Sequence, residues 1–477
     1  MIDDRRLVGI DLGIASDHTV RVLDGCGGEV CRRRAWPTVQ SLAAVEAAAL
    51  AGAPAETRVE VVIEPTGPAW LPIAVFFTAR GHRVFRVSSA KAADLRRFLS
   101  RHAKSNGIDA DTLARLPLLA PDSLYPLELA TTAEAAALDR RVRACDRLTQ
   151  QGALHQRRIK DLVRQLMPAT PLTGELTKTD LAVLGRWPDP HALLGAGRAR
   201  LLTVITTASH GHLGLDRAEQ WRAAAVAAVE LYAEHPAMAW ADLAAEVATE
   251  VALLAAVRAE LAVHAAARAE AYRFTDPAQL AASLPGLAEV GAPTVTAIIG
   301  RAARFRTGRQ FRSFTGLAPR ASETGQTDRK GQPMSKAGNR LLRTTLIRAA
   351  DNARRRDPQL AKIYWVQMVE RGADHLKACC VVAAHLAERL HAVLVRGMPY
   401  VVCDTDGTPV DPATAKQIIA EHWTVPREVR ARRRSRKPTS QAGKAPQRVL
   451  TGHDRSDPRR VDKRGDLPRA ASCSRPA

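Results

Sequence analysis

Four carboxylates near the start of the chain have the types and positions expected of a divalent-metal site. Asp11 ends the apolar run LVGID, Glu64 ends VEVVIE, and Asp109 and Asp111 lie in KSNGIDADTLARL. Acids at strand ends and at a nearby helix start can meet at one edge of an α/β sheet. Such carboxylates repel one another unless a cation lies between them, and their oxygens suit Mg²⁺ or Mn²⁺. The pattern predicts a metal site that could act on a phosphodiester.

Two other interpretations compete for these residues. Each acid taken alone also fits a turn after a strand or the N-cap of a helix. The run GIDLG followed by a hairpin also resembles the phosphate loop of actin-like ATPases and sugar kinases. That fold needs a second phosphate loop and a Gly-rich adenosine loop, and we find neither in the sequence.

A second group of reactive side chains lies in the loop-rich segment 316–343, which combines hydroxyls, glycines and cations. A nucleophilic hydroxyl in phosphoryl transfer needs cations to balance the phosphate charge. The candidate hydroxyls are Ser322, Thr324 and Ser335, although Ser335 also suits the N-cap of the next helix. The surrounding cations are Arg320, Arg329, Lys330, Lys336 and Arg340.

The segment before this loop, LPGLAEVGAPTVTAIIG within 283–300, is typical of a helix-hairpin-helix element. Such an element binds phosphates through backbone N–H groups without reading base sequence. An ordinary helical hairpin is the alternative. A basic stretch follows at once, which favours contact with nucleic acid, and Phe305, Phe311 and Phe314 within it are expected core residues. Its cations are Arg301, Arg304, Arg306, Arg309 and Arg312.

The elements that position these residues divide into an α/β part and all-α parts. Strands are predicted at 7–11, 19–24, 59–64 and 83–88, and helices at 38–52, 68–80, 89–103 and 109–116, which gives an α/β layer with a mixed sheet. Two long helical stretches, 134–167 and 216–272, predict a helical bundle or antiparallel coiled coil. Further helices are predicted at about 337–355 and 374–396. The expected domains are 1–130, 131–275 and 276–405, followed by a disordered basic tail, 427–477.

Charge indicates a polyanionic partner. The 477 residues contain 70 Lys and Arg against 49 Asp and Glu, a net charge of +21. Residues 427–477 hold sixteen Lys and Arg and five acids, so the remainder of the chain is also basic. The tail is interpreted as attracting nucleic acid without sequence preference. A coding frame read past its natural end is the alternative.

Several classes of protein are not expected. No uninterrupted apolar run approaches the ~18 residues of a membrane span, and the first residues lack the pattern of a signal peptide. Seven scattered cysteines are typical of reduced thiols in a cytoplasm. Because no CxxC pairs with a second CxxC or with HxxxH, a zinc site is not expected either.

In this order, the motifs resemble the insertion-sequence 110 family of bacterial transposases, which are DEDD-type recombinases. The matching marks are GIDLG, IEPTG, KSNGIDADTLARL, the PG-V-G hairpin, FRSFTGLAPR and SKAGNRLLR, over roughly residues 7–400. The resemblance implies a ribonuclease-H-like first domain, a coiled-coil dimerisation segment and a mainly helical transposase domain.

The resemblance also assigns roles to residues. Asp11 and Glu64 match the first two metal-binding acids. Of the two acids that the family has three residues apart, Asn106 takes the first position and Asp109 the second, and Asp111 could replace the missing carboxylate. Thr324, before Gly325, stands where the family has its nucleophilic serine, with Ser322 as the substitute.

What the resemblance implies about function is Mg²⁺-dependent (or Mn²⁺-dependent) cutting and rejoining of DNA through a covalent link to a hydroxyl. The expected partners are DNA, a structured guide RNA and further copies of the chain in dimers or tetramers, in a bacterial cytoplasm beside the nucleoid and without a membrane. Two alternatives stay open, because Asn106 and Thr324 depart from the family pattern. One is a junction-resolving metal nuclease that activates water, and the other is an inactive nucleic-acid-binding copy.

Overall fold

The structure is a computed structural model. It describes residues 5–65, 67–100, 105–130, 132–235, 238–320, 323–324, 327–328 and 332–434. The chain divides into two units, residues 1–426 and residues 427–477. All strands and helices described below belong to the first unit, except the helix that begins at Arg427.

A five-stranded mixed sheet forms the first part of the chain. Its strands are β1 (Arg5–Asp11), β2 (His18–Leu23), β3 (Glu29–Ala35), β4 (Arg58–Ile63) and β5 (Arg83–Arg86). The spatial order is β3-β2-β1-β4-β5, in which β1, β4 and β5 are parallel while β2 and β3 run antiparallel to their neighbours. The predicted α/β layer with a mixed sheet is therefore confirmed.

Helices cover both faces of this sheet. They are α1 (Val39–Leu50), α2 (Trp70–Ala79), α3 (Ser89–Leu99) and α4 (Asn106–Leu119). Side chains alternate along a strand, so Val8 and Ile10 pack in one core with α1 and α2, while Leu7 packs on the opposite face against Ala114 of α4. This alternation assigns α4 to one face of β1.

The middle of the chain is helical. Its helices are α5 (Ala133–Leu166), α6 (Lys178–Leu184), α7 (Pro190–Ala196), α8 (Arg198–Ala208), α9 (Leu215–Leu231) and α10 (Trp240–Thr275). The two long helices α5 and α10 are antiparallel, since Gly152 lies opposite Leu254 and Arg141 bonds His264. The predicted helical stretch 216–272 comprises two helices, since α9 ends at Leu231 and α10 begins at Trp240.

The last part of the first unit is also mainly helical. It contains α11 (Gly291–Ile299), α12 (Gly308–Thr315), the short strands β6 (Glu323–Thr324) and β7 (Thr327–Asp328), α13 (Arg340–Ala353), α14 (Pro358–Met368), α15 (His375–Arg396) and α16 (Pro412–His422). By length and composition α15 could cross a membrane. However, 56% of its apolar window is buried inside the protein, as in the core helix of a globular domain.

Three predictions about local structure in these regions are corrected. The first helix of the expected helix-hairpin-helix is wrong, because 277–290 forms turns and bends ahead of α11. Ser335 is not an N-cap, since α13 begins at Arg340 and Asn339 caps it by accepting from the N–H of Leu342. The second unit begins with a helix, α17 (Arg427–Arg434), where disorder was expected. The rest of the expected disordered tail, 435–477, lies outside the described residues.

A linker between α4 and α5 joins the sheet to the C-terminal helices. The backbone N–H of Leu127 bonds the carbonyl of Val84 on β5, so the linker runs along the edge of the sheet. On its other side, Glu128 accepts two hydrogen bonds from the Arg301 guanidinium, at 2.9 and 3.2 Å. The orientation of the sheet relative to α11 and α12 is thereby fixed within one chain.

Candidate active site

Two of the predicted acids lie side by side at one edge of the sheet. The parallel register pairs Ile10 of β1 with Ile63 of β4, so Asp11 and Glu64 occupy the next paired positions. Neighbouring strands are about 4.8 Å apart. Both side chains are half-buried. The carboxyl ends of two adjacent parallel strands therefore carry adjacent carboxylates.

Packing shows which face of the sheet these acids share. A Cβ on Gly9 would lie 2.0 Å from the carbonyl oxygen of Ala110 in α4, so the face of β1 that carries Gly9 and Asp11 is the one that α4 covers. On β4, Val62 packs with Leu113 of α4, and Glu64 follows two residues later on the same face.

The third acid lies on the part of α4 that runs past these strand ends. Ala110 and Leu113 of α4 lie against β1 and β4 respectively, and the helix runs antiparallel to both strands. Going back four residues from these contacts moves about 6 Å along the helix, and two residues move about 6.6 Å along a strand. Asn106 is thus level with Asp11, and Asp109 is level with Glu64.

The cap of α4 is supplied by another residue. Ser105 caps the helix by accepting from the N–H of Ile108, so neither Asn106 nor Asp109 is needed for that purpose.

Asp109 is paired with a cation that the sequence did not reveal. Arg96 Nη1 of α3 donates to Asp109 Oδ1 at 2.9 Å. Glu64, in contrast, makes no side-chain hydrogen bond or ion pair with the part of the chain that the structure describes. Arg21 of β2 adds positive charge nearby, since its Nη2 lies 2.6 Å from the position of a Cβ on Gly107.

Asp111 points away from this group. Two residues along a helix rotate the side chain by about 200°. Its carboxylate is held at 2.8 Å by Arg115 Nε, one turn further on, and Arg115 lies near Gly27 in the turn between β2 and β3. The carboxylate of Asp111 is thus engaged by a cation on its own helix.

The donor set of the edge fits a hard divalent cation. Asp11, Glu64 and Asp109 supply carboxylate oxygens and Asn106 supplies a carbonyl oxygen, and Mg²⁺ and Mn²⁺ are bound through such oxygens. Among the described residues, these acids are not gathered within 4.8 Å of one another. The Asp109 carboxylate is instead paired with Arg96, and a bound cation would have to compete with this ion pair.

The loop that carries the candidate hydroxyls is a β-ribbon. Thr324 pairs with Thr327 across the antiparallel strands β6 and β7. Pro319 and Met334 form a bridge near the base of the ribbon. Thr324 is placed at the tip by its backbone, whereas Ser322, Arg329 and Lys330 lie outside the described residues.

The base of the ribbon is tightly packed. A Cβ on Gly338 would lie 2.3 Å from the carbonyl oxygen of Phe314, and Gly316 has a left-handed φ of +74°. Ser335 donates its backbone N–H to Ala318, and Lys336 adopts a φ of +58°, which is uncommon for a residue with a side chain. The ribbon therefore leaves the helical core at a fixed point.

Most of the described cations predicted to bind nucleic acid are exposed. They are Arg306, Arg309, Arg320, Lys336 and Arg340. Arg304 differs, because its guanidinium donates to the carbonyls of Pro126 and Ile298 and lies over the rings of Phe305 and Phe314. Burial lowers its pKa. We assign Arg304 to internal packing and not to the nucleic-acid surface.

Comparison with known proteins places the chain in a family. The model described as "Transposase", of DEDD type, matches residues 8–168, which include Asp11, Glu64 and Asp109. The model described as "Transposase IS116/IS110/IS902 family" matches residues 278–365, which include the β-ribbon. Together they cover just over half of the chain. The chain belongs to the IS110 family of transposases.

Two curated relatives agree with this assignment. A protein of Pseudomonas aeruginosa with the provisional name family 20 transposase is 44% identical over 68 residues, 14% of this chain and 20% of that protein. A protein of Sinorhizobium fredii with the provisional name transposase y4qE is 27% identical over 148 residues, 31% of this chain and 36% of that protein. The matches thus span a fifth and about a third of these relatives.

Proposed function

We propose that this member of the IS110 family is a transposase that cuts and rejoins DNA at the edge of the sheet, with a divalent metal ion. The observation that carries the proposal is the shared position of Asp11, Glu64 and Asp109 on the face of the sheet that α4 covers. The ends of two parallel strands and the first turn of one helix thus bring three acids to the same edge of the sheet.

Asp11, Glu64, Asp109 and the carbonyl oxygen of Asn106 would hold the metal ion, Mg²⁺ or Mn²⁺. When bound, the ion supplies charge stabilisation for the oxygens of a phosphodiester. The chain's own cations contribute in addition. Arg96 would have to release Asp109 for an ion to bind there, and Arg96 and Arg21 would then be near enough to balance the charge of a phosphate.

The hydroxyl that forms the covalent link to DNA is assigned to Thr324, with Ser322 as the substitute. Thr324 is at the tip of a ribbon whose base carries the exposed cations Arg320, Lys336 and Arg340. Phosphoryl transfer depends chiefly on position and charge balance, so a secondary hydroxyl is chemically adequate. Threonine is more restricted at χ1 than serine, so the position of its hydroxyl oxygen would follow from the conformation of the backbone.

The assembly that brings acids and hydroxyl together is proposed to be a dimer or a tetramer around DNA. The antiparallel pair α5 and α10 is the candidate dimerisation segment, as a coiled coil. The acids of one protomer would meet the ribbon of another. A structured guide RNA and the exposed basic residues would hold the DNA, in the cytoplasm beside the nucleoid. The basic tail, 427–477, is proposed to add attraction to nucleic acid without sequence preference.

A junction-resolving nuclease that activates water is the second candidate. It is favoured by the fact that the three acids all belong to one sheet and its covering helix, which would suffice for hydrolysis. Trapping of a denaturant-resistant protein–DNA product would exclude it.

The test uses the full chain with DNA of the element ends and RNA that copurifies with the protein. We expect Asp11→Ala, Glu64→Ala and Asp109→Ala each to abolish metal-dependent strand exchange. Asp111→Ala is the matched control, because it lies on the same helix and faces away, and it should retain activity. Equal loss in Asp111→Ala, or activity in any of the three other variants, would contradict the assignment.

A further inference from the structure

A second cluster of metal-binding side chains lies among the C-terminal helices, away from the acids of the sheet. Asp351 of α13 and His375 and Cys379 of α15 place one donor atom each within 4.8 Å of the others. We propose that these three residues form a site for a borderline-soft divalent cation, Zn²⁺, with the fourth position open. His375 and Cys379 lie outside the regions that the family models match.

The triangle formed by the donors is close to the size that zinc requires. Cys379 Sγ is 3.9 Å from Asp351 Oδ1 and 3.9 Å from His375 Nε2, and Nε2 is 3.7 Å from Oδ1. A tetrahedral ion with bonds of about 2.3 Å to sulfur and about 2.0 Å to nitrogen and oxygen separates its ligands by about 3.3–3.5 Å. Each edge needs to shorten by only a few tenths of an ångström.

The backbone fixes two of the three donors. His375 is the first residue of α15, and Cys379 lies one turn further on, so both side chains occupy the same face of the helix. Asp374 caps this helix by accepting from the N–H of Lys377, which holds its first turn in place. Asp351 approaches from α13, which packs against α15.

The imidazole has a partner that sets its orientation. Tyr364 Oη lies 2.9 Å from His375 Nδ1. When Nδ1 donates its hydrogen to this oxygen, Nε2 is the nitrogen left to bind a metal, 3.7 Å from Asp351 Oδ1. Cys379 Sγ is 3.7 Å from Nδ1 and 3.9 Å from Nε2, so the ring has to turn for Nε2 and the sulfur to share an ion. Histidines that bind metals commonly hold their second nitrogen in this way.

Two arginines share the carboxylate, and their presence bears on the charge of the site. Arg354 donates to Asp351 Oδ1 and Arg355 to Oδ2. They keep Asp351 ionised and oriented. One thiolate and one carboxylate would balance the two charges of Zn²⁺, and the charges of Arg354 and Arg355 would remain beside the loaded site. The half-exposed His375 leaves an entry path, whereas Cys379 is buried.

The experiment titrates the full chain, freed of metal with a chelator, with Co²⁺ and then with Zn²⁺. We expect one equivalent of Co²⁺ to produce thiolate-to-cobalt charge-transfer absorption, which Zn²⁺ then removes. His375→Gln and Cys379→Ser should abolish the band, and Tyr364→Phe should weaken binding by about 10–100-fold. His375 is exposed enough for its variant to fold whether or not the Cys379 variant does.

The adjacent thiol provides the matched control. Cys380→Ala should keep the band, because Cys380 is not part of the triangle, and Asp11→Ala should keep it too, because the acids of the sheet offer no sulfur. Absence of the band in the unaltered chain would overturn the proposal, as would its survival in His375→Gln or its loss in Cys380→Ala.

Discussion

Arg96 Nη1 donates to Asp109 Oδ1 at 2.9 Å, and both side chains are largely shielded, with exposed fractions of 25% and 18%. Asp109 is the acid that α4 brings level with Glu64 at the sheet edge. The charge of this carboxylate is therefore balanced by a guanidinium from the neighbouring helix α3. A divalent ion bound to Asp109 has to displace or reorient that guanidinium.

This pairing predicts that Arg96→Gln binds Mn²⁺ more tightly in the absence of DNA. Removal of a competing, partly shielded cation should improve affinity by a few-fold, which corresponds to about 1 kcal/mol. Calorimetric titration or Mn²⁺ resonance spectroscopy would measure it. Arg97→Gln is the control, since Arg97 pairs with Asp94 on the exposed side of the same helix. Unchanged or weaker binding in Arg96→Gln would show that Arg96 does not compete with the ion.

The close approach of α4 to β1 predicts a strong effect at Gly9. A methyl group there would lie 2.0 Å from the carbonyl oxygen of Ala110 and 2.4 Å from the nitrogen of Ala114, so the helix must move. We expect Gly9→Ala to lower the free energy of unfolding by about 1–3 kcal/mol or more and to weaken metal binding. Gly195→Ala, where nothing lies within 4 Å, should do neither. Denaturant unfolding that gives equal stabilities for both variants would contradict this packing argument.

The sheet and its acids were predictable because the signal is local. β1, β2 and β4 are short β-branched runs whose ends coincide with Asp11 and Glu64, and the order of strands and helices restricts the topology. Arg96 was not predictable, because its partner depends on how α3 packs against α4. For the proposed zinc site, the sequence contains one indication, the four-residue spacing of His375 and Cys379 on one helix. Asp351 comes close to them only through the packing of α13 against α15.

The failures among the helices also have physical causes. The short helices α6, α7 and α8 have weak periodicity, although Thr177 and Asp189 at two of their starts are good caps. The expected helix before α11 does not form, because Gly286 adopts a φ of +86° and packs against the carbonyl of Ala349. Periodic apolar residues such as Leu284 and Leu287 are buried there within turns.

Two neighbouring arginines should separate stability from nucleic-acid binding. Arg304→Ala removes two hydrogen bonds to carbonyls and two ring contacts, so it should cost about 2 kcal/mol of stability. Arg306→Ala changes an exposed side chain and should alter stability by less than about 0.5 kcal/mol. If Arg306 contacts a phosphate, Arg306→Ala should reduce the slope of log K for DNA binding against log salt concentration by about one. Thermal unfolding and salt-titrated DNA binding would measure both, and the reverse pattern would contradict the assignment.

The hydroxyl assignment predicts different products from three variants. Thr324→Ala should abolish the covalent protein–DNA product on denaturing gels while RNA binding persists, and Thr324→Ser should retain it because the hydroxyl remains. Ser322→Ala should have little effect. Loss of the adduct in Ser322→Ala with retention in Thr324→Ala would move the nucleophile to Ser322. Absence of any adduct in the unaltered chain, together with metal-dependent cleavage, would favour the nuclease.

A buried histidine predicts acid sensitivity of the loop that follows Asp11. His18 is 2% exposed, and its Nδ1 accepts the N–H of Gly13 at 3.1 Å, so the folded chain holds the neutral imidazole. Burial lowers the pKa of His18 below its ordinary value of 6.5, although the charge of Asp17 acts in the opposite direction. The unfolded chain therefore binds more protons near and below pH 6.5, and this contribution to stability is complete above that value and lost as the pH falls through the folded-state pKa. We expect the urea midpoint to fall between about pH 8 and about pH 5, and to fall less in His18→Gln than in the unaltered chain or in the exposed control His212→Gln. An equal decrease in all three proteins would show that His18 does not couple this loop to pH.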